Sequence, residues 1–284
     1  MQLTTIMLEL ASAIVATTAA TPAPRVGETF QINTDREMEE HGNRDDSERG
    51  ASTDRDSYVE RVAAVRPDGV VLEYDLPMSA SANDRASTWQ FPFQVLKMPD
   101  GTLQLLNAPE LAGRVDGWLK AAGMPRAVCG KLIFTWNAFR IDCDPQSVIP
   151  WLATVTLPDN LKVGSPFTDP DAQASVTLQQ AGADKLFATL QVDPAAIRRQ
   201  RAEADVGVAE LMHKALTIDA ALKAHEAETV TGTIAVTFDL DSTGRACRRT
   251  RVRTVQIAWP SGRIDTQTVT ETLTRTPLSV ASKR

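Results

Sequence analysis

A chain of 284 residues with 43% hydrophobic, 23% charged and 5% aromatic residues has ordinary globular composition and fits one large domain or two modest ones. The formal charge is −6, and residues 35–56 alone hold nine acids against four arginines, so the remainder is nearly neutral. That balance lacks the basic face a nucleic-acid footprint demands, and nucleic acid is not an expected partner.

From Ile6 to Ala20 the residues are apolar or small, and Ala19, Ala20 and Ala23 offer export cleavage sites, so residues 1–23 read as a signal peptide. Glu9 interrupts the run and no Lys or Arg precedes Arg25; a start further upstream and a first helix of the folded protein are the alternatives. The run is too short for a membrane span, which needs about 20 apolar residues, and no transmembrane segment is expected. Val26, Phe30 and Ile32 then mark a first strand. Residues 34–57 are almost devoid of apolar side chains and are expected to form an exposed, mobile acidic loop carrying His41.

Order returns at Tyr58. Pro67-Asp68-Gly69 separates two alternating apolar runs, which predicts a hairpin, and Pro99-Asp100-Gly101 and Pro260-Ser261-Gly262 repeat the punctuation. Three such turns predict a meandering antiparallel sheet. Between Asn107 and Gly123 the period becomes helical, with Leu111, Val115, Trp118 and Leu119 on one face and Asn107 with Glu110 resembling a capping box.

The stretch Cys129–Trp151 is the densest in apolar and aromatic residues. Leu132, Phe134 and Trp136, then Phe139 and Ile141, alternate as two strands with a tip expected at Asn137-Ala138 in a longer or bulged turn. Cys129 and Cys143 lie 14 positions apart, and a bond between them requires the chain to reverse. Cys247 is an alternative partner for either, and two unpaired thiols are the other reading. Asp144-Pro145 suits a short helix limited by Pro150, and residues 158–171 are the candidate boundary between an N-terminal β-rich lobe (24–157) and a C-terminal lobe (172–284).

Asp193-Pro194 opens a helical pattern to about Glu226, with a break expected near Thr217–Asp219 and with His213 and His225 on exposed positions. Three strands follow. The middle one places Arg249, Arg251 and Arg253 on one face, with Asp265 and Glu271 of the next strand opposite, either as a solvated ladder or as an anion or partner patch. Asp239 to Thr250 begins like a calcium loop but has Thr250 where a bidentate glutamate is needed, and reads as a turn.

No phosphate loop, His-Glu-x-x-His, Gly-x-Ser-x-Gly or Cys-x-x-Cys occurs, so no catalytic, metal or cofactor site is assigned. The runs WQFPF, LLNAPELAGRVDGWL and CGKLIFTWNAFRIDCDPQSV resemble a group of uncharacterised predicted exported bacterial proteins. The resemblance covers most of the chain after Tyr58 and implies export, with no function to carry over. The resulting expectation is an α+β fold of curved antiparallel β-meander sheets with two or three packed helices, in the periplasm or secreted. Its expected function is non-catalytic binding of an apolar small molecule or an envelope protein in the concave side of the sheet. A carboxylate-dependent enzyme and a structural envelope protein docking through the arginine strand are the rivals. Glu73, Asp75, Asp142 and Asp144 border strands as acids for the former. The lining of the largest cavity discriminates among the three.

Overall fold

A computed structural model describes residues 23–43, 50–134 and 138–278. The expected signal peptide therefore lies outside the described residues, save Ala23. In chain order the elements are β1 (Thr29–Gly42), β2 (Gly50–Arg66), β3 (Gly69–Asp75), α1 (Ala82–Ser87), β4 (Phe93–Lys97), β5 (Leu103–Leu105) and α2 (Ala108–Ala121). Next come β6 (Leu132–Phe134), β7 (Ala138–Arg140), α3 (Val148–Val155), β8 (Pro166–Phe167), β9 (Val176–Thr177), β10 (Gln179–Gly182) and β11 (Lys185–Gln191). The chain closes with α4 (Pro194–Leu211), α5 (Ile218–Ala224), β12 (Thr229–Leu240), β13 (Ala246–Ala258) and β14 (Ile264–Pro277).

Ten strands form one antiparallel sheet in the order β10-β11-β12-β13-β14-β1-β2-β3-β4-β5. Two meanders meet where the first strand pairs with the last, from Phe30 opposite Pro277 to Gly42 opposite Asp265. The α+β meander with helices packed on it is thus the fold adopted. Both expected lobes share this one sheet.

The turns follow their residues. Gly101 and Gly262 sit at φ +87 and +79, each donating its N–H to the carbonyl three residues back, Met98 and Trp259, at 3.0 and 2.9 Å. At Asp241–Gly244 the side chain of Asp241 accepts from the backbone of Thr243 and Arg245, at 2.8 and 3.0 Å, so the calcium-like run is a turn.

One face of the sheet is covered. Leu111, Val115 and Leu119 of α2 and Val148, Leu152 and Val155 of α3 join Tyr74, Phe93 and Val95 in the core. Ile197 of α4 joins Val230, Ile234, Val255 and Ile257 in the same core. On the opposite face β14 sets threonines at every second position from Thr266 to Thr276, the alternation of a strand with one polar side.

Several expectations are corrected. Residues 34–42 and 50–57 are not a mobile loop but the long arms of β1 and β2. β1 pairs on both edges, with β14 and β2, so its backbone bonds are satisfied whatever its side chains, and cross-strand pairs such as Arg55–Asp35 at 3.1 Å place the charges in solvent. Asn107 forms no capping box: its Oδ1 accepts from Gln94 N at 3.0 Å and its Nδ2 donates to Glu110, tying α2 to β4 instead. Pro150 does not limit the next helix. It lies in the first turn of α3, where a missing N–H costs no intrahelical bond, while Asp144 caps the 3-10 turn Pro145–Ser147 before it.

Cys129 and Cys143 are joined in a disulfide that closes the base of the β6–β7 hairpin. Ala138 pairs with Phe134 and belongs to the returning strand, so the expected tip position at Asn137 lies outside the described residues. The break in the C-terminal helical pattern falls at residues 212–217, earlier than expected, because Thr217 caps α5 through Ala220 N at 3.2 Å.

Candidate functional site

A cleft of about 910 Å³ lies between the covered face of the sheet and the α4–α5 pair. Asp193 caps α4, accepting from Ala195 N at 2.9 Å, with Pro194 as its first residue. Ile197, Gln200, Arg201 and Ala204 then recur at helical spacing and face the cleft. The sheet supplies Arg253, Val255, Ile257 and Trp259 from β13 and its end, Asp265 and Gln267 from β14, and Glu40 from β1. Alternation puts these sheet residues on one side. The floor is aliphatic, since Ile197, Val255 and Ile257 are buried there, and the rim is polar and charged.

His225 is buried, contrary to the exposed position expected of it, because it caps α5 where the chain turns inward toward β12. Its Nδ1 lies 2.9 Å from Glu228 Oε1 and its Nε2 2.8 Å from Asp205 Oδ2. The ring thereby fastens the end of α5 to α4. Arg201 donates to the same Glu228 oxygen at 3.2 Å and lies 5.5 Å from the centre of the Trp259 ring, while Arg263 lies 4.8 Å from it. His213 remains exposed at φ +55 beyond α4, and His41 stands on β1 at the cleft margin.

The arginine strand is neither a solvated ladder nor an open patch. Arg251 and Arg253 side chains are each 12% exposed. Arg251 donates to Asp169 at 2.7 and 2.9 Å, to Asp171 at 2.7 Å and to Glu271 at 3.1 Å. Arg253 donates to Asp171 at 2.7 Å and to Gln200 at 3.1 Å, and Arg249 to the Thr154 carbonyl at 2.9 Å. Burial opposes ionisation of the Asp171 carboxyl, but the Arg251 hydrogen bond, the charges of Arg253 and Arg251 and the Gln200 bond outweigh it and hold the group below the usual carboxylate range. Glu271 meets Arg251 as expected, whereas Asp265 pairs with Arg263 at 2.5 Å instead of reaching the arginine strand. Only Arg253 of the three arginines reaches the cleft.

Sequence reasoning missed Asp169, Asp171, Gln200, Asp205 and Glu228. The spacing Asp169-x-Asp171 against Arg251-x-Arg253 is the one local sign of the network, and it becomes meaningful only when the two segments are known to meet.

The rim of the cleft is charged. Its acids are engaged, Glu228 by Arg201 and His225, Asp265 by Arg263, and Glu40 by Gln267 at 2.5 Å, and both nitrogens of His225 are occupied. A carboxylate-pair reaction needs two acids free to exchange protons across one bond. Among the described residues no group of three or more His, Cys, Asp or Glu is placed to hold a metal ion, and no helix is long and apolar enough to cross a membrane. Glu73 and Asp75 are drawn outward to Arg61 and Arg85, at 2.5 and 3.0 Å. Asp142 and Asp144 lie beside the disulfide, away from the cleft.

These features define a sheet protein with one helix-covered face and a ligand-sized cleft. No family model and no curated protein matches the chain. Among solved structures, one described as lipid-protein interactions in lipovitellin is similar at a TM-score of 0.41 with 9% identity, over 92% of this chain and 26% of that one. The chain thus spans about a quarter of that structure's length.

Proposed function

We propose that the protein is an exported, non-catalytic binding protein whose cleft takes a small amphiphile, its apolar part on Ile197, Val255 and Ile257 and its polar part at the rim. The two-part lining of the cleft carries this reading. The volume of about 910 Å³ is within the range of small-molecule sites. Export is supported by the disulfide and by the apolar, small-residue stretch Ile6–Ala20. The test is native mass spectrometry of the chain isolated without denaturation, with titration of 1-N-phenylnaphthylamine, which brightens in apolar surroundings. Expected are a retained amphiphile and saturation at one probe per chain, abolished by Ala204→Trp, since Ala204 is an exposed side chain on the cleft wall. Absence of both adduct and saturable probe binding would sink the proposal.

A further inference from the structure

β2 outruns its outer neighbour. β3 pairs with it only from Val59, opposite Asp75, to Arg66, whereas β1 pairs with it as far as Gly50. Residues 50–57 therefore form a free edge of the ten-stranded sheet. Val62 donates to Glu28 and accepts from Gly27, both at 2.9 Å, on the β1 side of the strand. Backbone groups alternate sides along a strand, and the β1–β2 register runs without a shift, so Ala51, Thr53, Arg55 and Ser57 turn their N–H and C=O groups away from β1. Among the described residues nothing bonds to these groups.

A row of unpaired backbone groups is a template for a further strand, and native edges are blunted by prolines, lysines, bulges or a covering element. This edge has no proline or lysine from Gly50 to Ser57, and residues Ala51 to Asp56 are all exposed. Its acids are also uncompensated. Asp54 and Asp56 project on one side of the sheet, the side of Tyr58. Arg36, opposite Asp54 in the register, turns to Glu271 at 3.6 Å, and Arg55, on the other side, is held by Asp35 at 3.1 Å. Neither aspartate forms an ion pair among the described residues.

From this juxtaposition we propose that the edge at residues 50–57 takes an extended segment of a partner protein as a further antiparallel strand, one with lysine or arginine at alternate positions. Ala51, Thr53, Arg55 and Ser57 bond its backbone. Asp54 and Asp56 then fall at the non-hydrogen-bonded positions, where facing side chains come closest, and each meets a cation. A second copy paired edge to edge would instead gather the aspartates of both copies on one face with no cation between them, which disfavours this chain as its own partner. The edge is separate from the cleft and stands whatever the cleft binds.

Fluorescence anisotropy of the labelled, acetylated and amidated peptide TKVKVTV, titrated with the full chain, tests this. Laid antiparallel along the edge, its lysines face Asp56 and Asp54. It is expected to bind one to one and about tenfold more tightly than TEVEVTV, whose acids meet the same aspartates. N-methylation of its third and fifth residues, whose N–H groups point at the edge, should abolish binding, and N-methylation of the second and fourth should leave it. Thr53→Pro removes one outward N–H without touching the ladder to β1 and should weaken binding as well. If that variant fails to fold, the peptide series decides alone. Equal affinity of the two peptides, indifference to which N–H groups are methylated, or no binding overturns the proposal. A dimer in sedimentation velocity that Thr53→Pro dissociates overturns it too, by giving the edge to a second copy.

Discussion

Arg275, on the last strand of the sheet, donates through Nε and Nη2 to one oxygen of Glu60 on the second strand, at 3.1 and 2.7 Å. The other oxygen of Glu60 accepts from the Tyr74 hydroxyl at 2.7 Å, and Arg275 lies over the Phe30 ring. This network spans the seam where β14 closes on β1. It accounts for a carboxylate tolerated at a buried position.

Glu60→Gln leaves the Arg275 guanidinium without its counter-charge, and breaking one side of a buried pair typically costs about 3–5 kcal/mol. Because Arg275 retains 24% exposure, the low end, about 3 kcal/mol, is expected in urea unfolding. Arg55→Ala, which removes an exposed pair with Asp35 elsewhere on the same hairpin, is expected to cost less than about 1 kcal/mol. Equal costs for the two would mean that the seam network contributes no more than a surface pair.

Asp171 is held below the usual carboxylate range by Arg251 and Arg253. A depressed folded pKa contributes stability that is fully present above the unfolded value, about 3.9, and lost as pH falls through the folded one. The wild type is therefore expected to lose stability progressively below about pH 4, and Asp171→Asn to be less stable at pH 7 with a flatter acid limb. Parallel acid limbs in guanidinium titrations at a series of pH values would refute the linkage.

What could be read from the chain alone tracks how local each cause is. Val230, Ile234, Val236 and Phe238 repeat at every second position, and the Pro-Asp-Gly turn encodes its own reversal, so β12 and the β2–β3 hairpin are legible. β1 and β2 beyond Asn33 are not. Their residues are those of a solvated loop, and what makes them strands is backbone pairing of β2 with β1 and of β1 with β14, the last more than 200 positions away in the chain. The cleft fails for the same reason: His225, Glu228 and Asp205 come together only through the packing of α5 on α4, and the aspartates that quench the arginine strand arrive from a loop read as a lobe boundary.

Gly232 on β12 illustrates a constraint of the same non-local kind. A Cβ placed there would lie 2.2 Å from the Thr254 carbonyl oxygen of β13 and 3.1 Å from Val192. Neither strand can yield without breaking the ladder that sets Arg253 and Val255 in the cleft. Gly232→Ala is expected to destabilise by about 1–3 kcal/mol, as overpacking does, and to weaken probe binding at the cleft. Gly117→Ala, on α2 with nothing within 4 Å of its Cβ, is the control and is expected to be stabilising.

Cys247 is the thiol left over once Cys129 and Cys143 are joined. Burial raises its pKa, as do the nearby charges of Asp241 and Asp239, and its Sγ lies 3.4 Å from the Asp239 carbonyl. A raised thiol pKa means less thiolate at a given pH, and the thiolate is the reacting species. Native protein at pH 8 is therefore expected to take up iodoacetamide at least tenfold more slowly than glutathione does. After denaturation without reductant it should incorporate one label per chain, and after reduction three, as the three cysteines of the sequence require. Closing a loop of 14 residues is worth about 3 kcal/mol in the chain-entropy account, so the double variant Cys129→Ser with Cys143→Ser should unfold at correspondingly lower urea. Because β6 is held to α4 through Leu132 N and Glu210 at 3.0 Å, that loss should also lower protection of the α4 amides from hydrogen exchange. Unchanged α4 protection in the double variant would mean that the hairpin does not brace the wall of the cleft.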